Sequence, residues 1–222
     1  NMLFCGRTGS GRRTLIMCLL EAVFGGGRVW QRRTEHRTLG GDSESPSSAE
    51  LNVISSPVHM ELTPADVGAP DDRVVVQSII KETAANRPLT LDADAKRFKV
   101  LVLNDADRLS KDAQHALRRT MERYQHSCRI VLVCETASHL IDPLRSRCMM
   151  CRVPRPSDEA VERLLRRALH TVGCAEAALG GDTAIAAIAR AADGNVRTAL
   201  LHLQAHAVMS FDGQVPTLCM LL

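Results

Sequence analysis

Short apolar runs and stretches of helical spacing alternate along the first 153 residues. The runs KVLVL at 99–103 and RIVLVC at 129–134 contain no polar residue after their first position. Such runs are typical of strands that are buried on both faces of a parallel sheet. We predict shorter strands at 2–5 and 151–153, and a strand or hairpin at 51–62 with its turn at Pro57.

Helical spacing fills the segments between these strands. We predict helices at 14–24 and 71–85, and a third that begins after Ser110, whose side chain is a candidate N-terminal cap. The glycines at 25–27 are expected to end the first helix. This alternation of strands and helices favours an α/β fold with a parallel sheet.

The pattern changes after Pro154 and Pro156. Alanine-rich helical patterns cover 157–172, 182–192 and 196–209, with glycines between them. We therefore predict an α/β domain at 1–153, followed by a small all-α domain at 154–212. The polar segment 40–50 is rich in serine and glycine, which predicts a surface loop.

The composition is that of an ordinary globular protein, because 45% of the 222 residues are apolar and 24% are charged. No apolar run reaches the roughly 18 residues that a membrane-spanning helix needs. The net charge is only +3, but residues 110–170 contain 12 Lys or Arg and 7 Asp or Glu. This local excess permits a polyanionic partner without requiring one.

The spacing of the cysteines favours reduced thiols without a ligand over a metal site. Cys148 and Cys151 form the only CxxC pair among the eight cysteines, whereas a structural zinc ion usually takes four ligands. We expect reduced thiols in an intracellular protein, and we predict no metal site from these residues.

The segment GRTGSGRRT at 6–14 has the spacing of a phosphate-binding loop, Gly-x-x-x-x-Gly, between a predicted strand and a predicted helix. Its glycines let successive backbone N–H groups converge on a phosphate at the helix N-terminus. A glycine-rich turn without a ligand is the alternative. The candidate nucleotide-binding residues are Gly6, Thr8, Gly9, Ser10, Gly11, Arg12, Arg13 and Thr14.

Three side chains of this loop depart from the usual chemistry. Arg12 stands where a lysine normally reaches the β- and γ-phosphates, and its guanidinium is larger and planar. Arg13 stands where a hydroxyl normally binds Mg²⁺, and a guanidinium has no oxygen to offer. Thr14 carries a hydroxyl but comes one residue late.

A second candidate group follows the buried run at 99–103. Asn104 replaces the aspartate that normally coordinates Mg²⁺, and Asp105 replaces the glutamate that normally activates water. Acidic loops after strands are common, so this pair alone is weak support. Together with the glycine loop, it favours a nucleotide-binding domain in which a Mg²⁺ site is doubtful.

Three further segments carry a resemblance to a known family. They are LSKDAQHALRRTME at 109–122, LRSRC at 144–148 and GNVRTAL at 194–200. In this order they resemble the central helix, the Ser-Arg-Cys motif and the second-sensor helix of replication factor C small subunits. The similarity runs from Met2 to Met209.

This resemblance implies an AAA+ P-loop ATPase module followed by a helical lid. It also implies a nuclear hetero-pentameric ring of replication factor C subunits that serves DNA replication and repair. Such a ring uses ATP to open a sliding clamp of the proliferating cell nuclear antigen type and loads it onto primed double-stranded DNA. We expect an N-terminal segment and a C-terminal collar, which would start at 213–222, to be missing from a chain that begins at Asn1.

The resemblance assigns roles unevenly along the chain. Arg197 matches the second sensor, and Arg147 matches the arginine finger that acts in the site of a neighbouring subunit. Glu135 stands where the family has an asparagine that senses the γ-phosphate. Because Arg12 and Asn104 are altered as well, we expect ATP or ADP to be a weak or structural ligand, with little hydrolysis by this chain.

The candidate contacts to DNA phosphates are Lys81, Lys111 and Arg118. The family binds the duplex backbone with basic residues near the N-termini of helices that face its channel. Gln77 stands where other small subunits carry a basic residue, which weakens the match. A solvated helix face explains any one of these cations equally well.

Two other functions stay open. In one, the chain is an active ATPase in which Arg12 does the work of lysine and Asp105 activates water. In the other, it is a purely structural ring subunit, and Arg147 forms a surface salt bridge instead of an arginine finger. The family's small subunits are also shared among related rings in checkpoint and cohesion pathways.

Overall fold

The computed structural model describes residues 1–25, 27–39, 49–68, 71–85, 98–172 and 181–210. The strands within them are β1 (Met2–Cys5), β2 (Arg33–Leu39), β3 (Ala49–Ser55), β4 (His59–Leu62), β5 (Lys99–Leu103), β6 (Cys128–Cys134) and β7 (Met149–Arg152). They form one sheet in the order β2-β3-β4-β5-β6-β1-β7.

The sheet is parallel over most of its width. The neighbouring pairs from β4 to β7 run parallel, whereas β2, β3 and β4 are joined by antiparallel pairing. The carboxyl ends of the parallel strands therefore meet at one edge. In open α/β sheets, ligands bind outside this edge.

The described residues also contain seven α-helices. They are α1 (Arg12–Phe24), α2 (Asp71–Ala85), α3 (Lys111–Arg123), α4 (Asp142–Arg145), α5 (Asp158–Val172), α6 (Gly181–Ala191) and α7 (Val196–Ser210). Short 3₁₀ turns lie at Pro64–Val67, Ala106–Arg108 and Ala137–His139.

The main core lies between the sheet and the helices α2 and α3. Leu101 and Leu103 of β5 are fully buried in a cluster that also contains Ile79 of α2 and Leu117 of α3. Because side chains alternate along a strand, Val102 lies on the opposite face of the sheet, where it is also buried. Burial on both faces explains why β5 has an apolar sequence.

Ser110 joins the N-termini of α2 and α3. Its Oγ accepts a hydrogen bond from the backbone N–H of Ala113 at 3.1 Å, which confirms the predicted cap of α3. The buried Asp72, in the first turn of α2, accepts bonds from the backbone N–H of Ser110 at 2.7 Å and from its hydroxyl at 3.0 Å. One carboxylate thus fixes the start of both helices.

The C-terminal helices have a core of their own. Leu165 and Leu169 of α5, Ile185 of α6 and Leu203 of α7 are all fully buried in one cluster. The apolar stripes of three amphipathic helices are sufficient to form such a small core.

The chain divides into two compact units. The first comprises Asn1–Cys5 with Arg13–Arg152, and the second comprises Gly6–Arg12 with the chain from Val153 onward. The phosphate-loop segment Gly6–Arg12 is therefore grouped with the helices α5–α7, although it lies between β1 and α1 in the sequence. The second unit therefore consists of two separate stretches of the chain.

Most predicted elements are confirmed. Of the strand or hairpin predicted at 51–62, the structure shows the hairpin, formed by β3 and β4, and the helix predicted at 71–85 has the same bounds as α2. Strand β2 was not predicted, because its residues RTEHRTL are mostly polar. Residues 40–48, most of the predicted surface loop, lie outside the described residues. So do residues 213–222, the expected start of a collar.

Candidate functional site

The phosphate loop, Gly6–Arg12, leads from β1 into α1. Gly9 and Gly11 have φ values of 78° and 88°, a region of backbone conformation that favours glycine. Gly6 is required for a different reason: a Cβ atom there would lie 2.4 Å from the carbonyl oxygen of Val153. The glycine spacing predicted to form a phosphate loop therefore has a structural basis at each of its glycines.

The start of α7 holds the loop in place. The backbone N–H of Val196 donates a 2.9 Å hydrogen bond to the carbonyl oxygen of Gly9. Asn195 packs against the same glycine so closely that a Cβ atom on Gly9 would lie 1.8 Å from its Oδ1. That Oδ1 also accepts a 3.1 Å bond from the backbone N–H of Thr198, within the first turn of α7.

Asp193 adds two ion pairs next to these contacts. It lies 3.6 Å from Arg7, and it also pairs with Arg155. Exposed pairs of this kind contribute little stability, and Asp193 and Arg7 are both about two-thirds exposed. Arg197, the predicted second sensor, is exposed in the first turn of α7.

Two side chains of the loop have polar atoms without a partner. The Oγ of Ser10 and one terminal guanidinium nitrogen of Arg12, Nη1, are buried and make no hydrogen bond in the described part of the chain. Such groups are costly unless something binds them. The N-terminus of α1 adds its partial positive charge, and its first turn holds no acidic residue. These groups fit an anion such as a nucleotide phosphate.

Arg13 faces Glu61 at the start of α1. Glu61, on β4, is only 3% exposed, and its Oε2 accepts a 2.9 Å hydrogen bond from Nη2 of Arg13. Its Oε1 accepts another, also at 2.9 Å, from Nδ2 of Asn104 at the end of β5. We call these three residues the Arg13 cluster. Thr14, the next candidate, is exposed on α1.

Glu61 is a site residue that the sequence analysis missed. Its signal was present as an isolated acid in HMEL, an otherwise apolar strand apart from His59. A carboxylate in such a place needs a cationic or hydrogen-bonding partner. The sequence does not say which residue provides it, because Asn104 reaches Glu61 through the pairing of β4 with β5, and Arg13 reaches it from α1.

The Arg13 cluster does not fit the Mg²⁺ ion that the AAA+ fold usually holds. Mg²⁺ requires oxygen ligands in near-octahedral geometry, and Arg13 offers only N–H donors and a positive charge. Both oxygens of Glu61 already accept hydrogen bonds. A metal ion bound by these oxygens would compete with the Arg13 cation for Glu61, and the other side-chain oxygen of the cluster is the uncharged amide oxygen of Asn104.

Asp105 and Asp107 follow Asn104 with different roles. Asp105 has a φ of 48° and forms an ion pair with Arg108 at 3.7 Å. Asp107 accepts hydrogen bonds from the backbone N–H groups of Glu135 at 3.0 Å and of Thr136 at 2.9 Å. The end of β6, where Glu135 replaces the expected asparagine, is therefore held by the loop that follows β5.

His59 is a buried titratable group on the same strand as Glu61. It is 1% exposed, and its Nδ1 lies 2.6 Å from Oγ of Ser56. Burial lowers the pKa of His59 below its ordinary value, with Arg32 and Arg13 acting in the same direction and Glu61 opposing them. The imidazole is therefore kept neutral inside the fold.

Arg147 lies just beyond α4 and is tied to α3. Its Nε donates a 2.7 Å hydrogen bond to Oε1 of Glu122, and its Nη1 donates a 2.9 Å bond to the carbonyl oxygen of Pro143. The Arg147 side chain is 39% exposed. The guanidinium is thus fixed at the surface but not enclosed.

The three DNA candidates lie on α2 and α3. Lys81 is exposed on α2, and Lys111 is exposed at the start of α3. Arg118 lies two turns further along α3 than Lys111, on the same side of the helix. It is partly buried and pairs with Glu122 at 3.8 Å.

The cysteines are free thiols in the described residues. Cys148 and Cys151 are partly buried, and burial raises the pKa of Cys148. In the described ranges, no three His, Cys, Asp or Glu residues form a group that could hold a metal ion.

The protein-family model described as "DNA polymerase III, delta subunit" matches residues 1–157. The chain belongs to this family. This member of the DNA polymerase III delta subunit family also matches curated relatives over nearly its whole length, and these are named replication factor C subunits. The predicted resemblance to replication factor C small subunits is thereby confirmed.

Three of these relatives come from distant organisms. "Replication factor C subunit 3" of Homo sapiens is 38% identical over 221 residues, which are 97% of this chain and 59% of the relative. "Replication factor C subunit 5" of Saccharomyces cerevisiae is 38% identical over 94% of this chain and 58% of the relative. "Replication factor C subunit 5" of Oryza sativa is 46% identical over 74% of this chain and 46% of the relative. The chain thus spans about half the length of the curated relatives it matches.

A solved structure shows the same fold. RuvB of Thermotoga maritima superposes with a TM-score of 0.61 over 95% of this chain and 55% of the RuvB chain, at 15% sequence identity. At this identity, the likeness concerns the fold alone, and it confirms the AAA+ fold of this family member. Within the described residues, no helix is both long enough and apolar enough to cross a bilayer.

Proposed function

We propose that the chain is the AAA+ part of a replication factor C subunit that acts in clamp loading. In this proposal it joins other replication factor C subunits in a nuclear hetero-pentameric ring, which uses ATP to load a sliding clamp onto primed double-stranded DNA. The relatives named replication factor C subunits 3 and 5 support this assignment. So does the family match over residues 1–157.

We further propose that this subunit binds ATP or ADP through the phosphate loop. The buried Oγ of Ser10 and Nη1 of Arg12 have no partner in the described residues, and they suit an anion. A bound nucleotide supplies negatively charged phosphates that such donors neutralise. The loop is also held firmly by Asn195 and Val196, so it needs little ordering to bind.

Hydrolysis by this subunit is weak in our proposal because the groups it needs are altered. Arg12 replaces lysine, Asn104 replaces an aspartate and donates to Glu61, and Glu135 places a negative charge where a γ-phosphate sensor is expected. Asp105 is the remaining candidate acid. It pairs with Arg108 at 3.7 Å.

The observation that carries the proposal is the placement of Arg147, the candidate arginine finger. It keeps the complete Ser-Arg-Cys motif in a chain whose own pocket chemistry is altered, and its guanidinium is held at the surface by Glu122 and Pro143. An arginine finger acts on a nucleotide bound to the neighbouring subunit. It therefore keeps its use when its own subunit does not hydrolyse ATP.

The purely structural ring subunit is the second candidate function. The observation that favours it is the same set of bonds from Arg147 to Glu122 and Pro143. A guanidinium whose only role is to connect α3 with α4 would make these bonds too. The two functions differ in whether Arg147 affects a neighbouring site.

DNA binding is the least specific part of the proposal. Lys111 and Arg118 lie on the same side of α3, where both would face the phosphates of a duplex backbone. Lys81 is exposed on α2. Contacts of this kind bind without base specificity and weaken as salt rises.

The test is ATP hydrolysis by the reconstituted ring, with Arg147→Ala in the full-length subunit. We expect hydrolysis at one neighbouring site to fall by about 10³-fold or more, while the remaining sites limit the fall in the total rate. Arg145→Ala is the matched control, because it removes a cation from the same segment that pairs only locally with Asp142.

Two results would contradict parts of this proposal. Equal rates for Arg147→Ala and the unaltered ring would favour the structural subunit. Robust Mg²⁺-dependent turnover by this subunit alone, abolished by Asp105→Ala, would show that it is an active ATPase instead.

A further inference from the structure

The Arg13 cluster combines a buried carboxylate with a half-exposed cation. Glu61 is 3% exposed, whereas the side chain of Arg13 is 44% exposed. Glu61 therefore holds the guanidinium from its buried side. An arginine carries five N–H donors, so Arg13 can bond to Glu61 and still donate to a second anion.

The positive charge of Arg13 is fixed in place and in sign, and it lies opposite the negative charge of Glu61. A guanidinium stays protonated at all physiological pH values. A buried carboxylate without a partner would be strongly unfavourable, so Glu61 has a large energetic reason to keep Arg13 where it is. Asn104 orients the same carboxylate through its other oxygen at 2.9 Å.

The position of Arg13 in the motif indicates which group its positive charge replaces. Arg13 is joined to Arg12 by a peptide bond, and it is the second residue of α1. In a phosphate-binding loop, this position normally supplies the oxygen that binds Mg²⁺, and the residue at the Asn104 position normally supplies another. Arg13 thus presents N–H donors and a positive charge where the usual motif presents an oxygen.

We infer that the Arg13 cluster takes the place of Mg²⁺ in this chain. The guanidinium of Arg13, held by Glu61, donates its remaining N–H groups directly to the phosphates of a nucleoside di- or triphosphate. Nucleotide binding is then independent of divalent cations. This inference rests on the proposed binding of nucleotide to the phosphate loop.

The experiment measures the affinity of the full chain for ADP, with a fluorescent ADP analogue as the probe, in buffer with Mg²⁺ and in buffer with EDTA. We expect the two dissociation constants to agree within about two-fold, a free-energy difference too small to represent a lost metal contact. A chain that depends on Mg²⁺ would bind about ten-fold or more weakly in EDTA, which would overturn the inference.

A double variant tests the role of the cluster by gain of function. Arg13→Thr with Asn104→Asp restores a hydroxyl and a carboxylate, the donor set that Mg²⁺ prefers. We expect this variant to bind ADP at least about ten-fold more weakly in EDTA than in Mg²⁺. Arg73→Thr is the control, because it removes one exposed positive charge on α2 outside the cluster.

The outcomes separate this inference from the proposed function. No ADP binding with or without Mg²⁺ would reject nucleotide binding itself, and the inference with it. Binding that requires Mg²⁺ would reject only the inference. If the double variant does not fold, as judged by circular dichroism, the comparison of Mg²⁺ with EDTA in the unaltered chain still decides the question.

Discussion

The Nε atom of Arg147 donates a 2.7 Å hydrogen bond to Oε1 of Glu122, so the Ser-Arg-Cys segment is tied to the last turns of α3. Both side chains are more than a third exposed. A pair of this kind contributes little to stability. Its effect is to set the direction of the guanidinium.

We predict that Glu122→Gln changes the free energy of unfolding by less than about 1 kcal/mol, because exposed ion pairs are weak. If Arg147 acts as the proposed arginine finger, the same substitution should lower hydrolysis at the neighbouring site of the reconstituted ring. The measurement is a double-mutant cycle of Glu122→Gln and Arg147→Ala in ATPase assays. A further loss from Glu122→Gln when Arg147 is already alanine would show that Glu122 does not act through Arg147.

We predict that Gly9→Ala destabilises the protein more than Gly11→Ala. Both glycines have positive φ, for which a side chain costs roughly 1–2 kcal/mol. Only at Gly9 would the new Cβ collide with Asn195, whereas nothing lies within 4 Å of a Cβ on Gly11. Urea unfolding of the two variants measures the difference.

A third variant isolates the collision. Asn195→Ala added to Gly9→Ala should recover part of the lost stability, because it removes the atoms that the new Cβ meets. If Gly9→Ala and Gly11→Ala cost the same, the packing of Asn195 against the loop has no energetic weight.

We predict that acid destabilises the fold through His59. Its pKa in the folded chain lies below the ordinary value of 6.5, so the unfolded chain takes up a proton at a higher pH than the folded chain. The stability that the neutral imidazole contributes is therefore complete above about pH 6.5 and is lost as the pH falls below it.

The measurement is the free energy of unfolding in urea between about pH 8 and pH 5. His59→Gln should flatten the decline in acid, because its side chain does not titrate. His126→Gln, at an exposed position, is the matched control and should leave the decline unchanged. An unchanged slope in the His59 variant would exclude this group as the cause.

We predict that alkylation distinguishes two of the cysteines. Cys128 is 2% exposed, and burial raises its pKa to about 11, so it is a protonated thiol near neutral pH. Cys18 is exposed on α1. Iodoacetamide should label Cys18 in the folded protein and Cys128 only after denaturation, as read by peptide mass spectrometry. Equal labelling of both in the native state would contradict the burial of β6.

The elements that the sequence predicted are those whose signal is local. The apolar run of β5 and the cap at Ser110 depend on residues close together in the chain. The polar strand β2 has no such signal, because it is an edge strand that owes its conformation to pairing with β3. Pairing of this kind is not visible in the hydrophobic pattern.

The candidate site was predicted in part for the same reason. The glycine spacing is local, and it predicted the glycine-dependent loop Gly6–Arg12. The role of Glu61 depends on the register of β4 and β5, which places Glu61 opposite Val102 and brings it next to Asn104. The contact of Asn195 with Gly9 joins segments that are far apart in the sequence. Only the folded chain shows these relationships.

Asp107 anchors the end of β6 by accepting two hydrogen bonds from the backbone N–H groups of Glu135 and Thr136. Because both donors belong to the main chain, these two bonds do not depend on which side chain stands at position 135. A substitution at that position can therefore change the charge at this edge of the sheet while the two anchoring bonds remain.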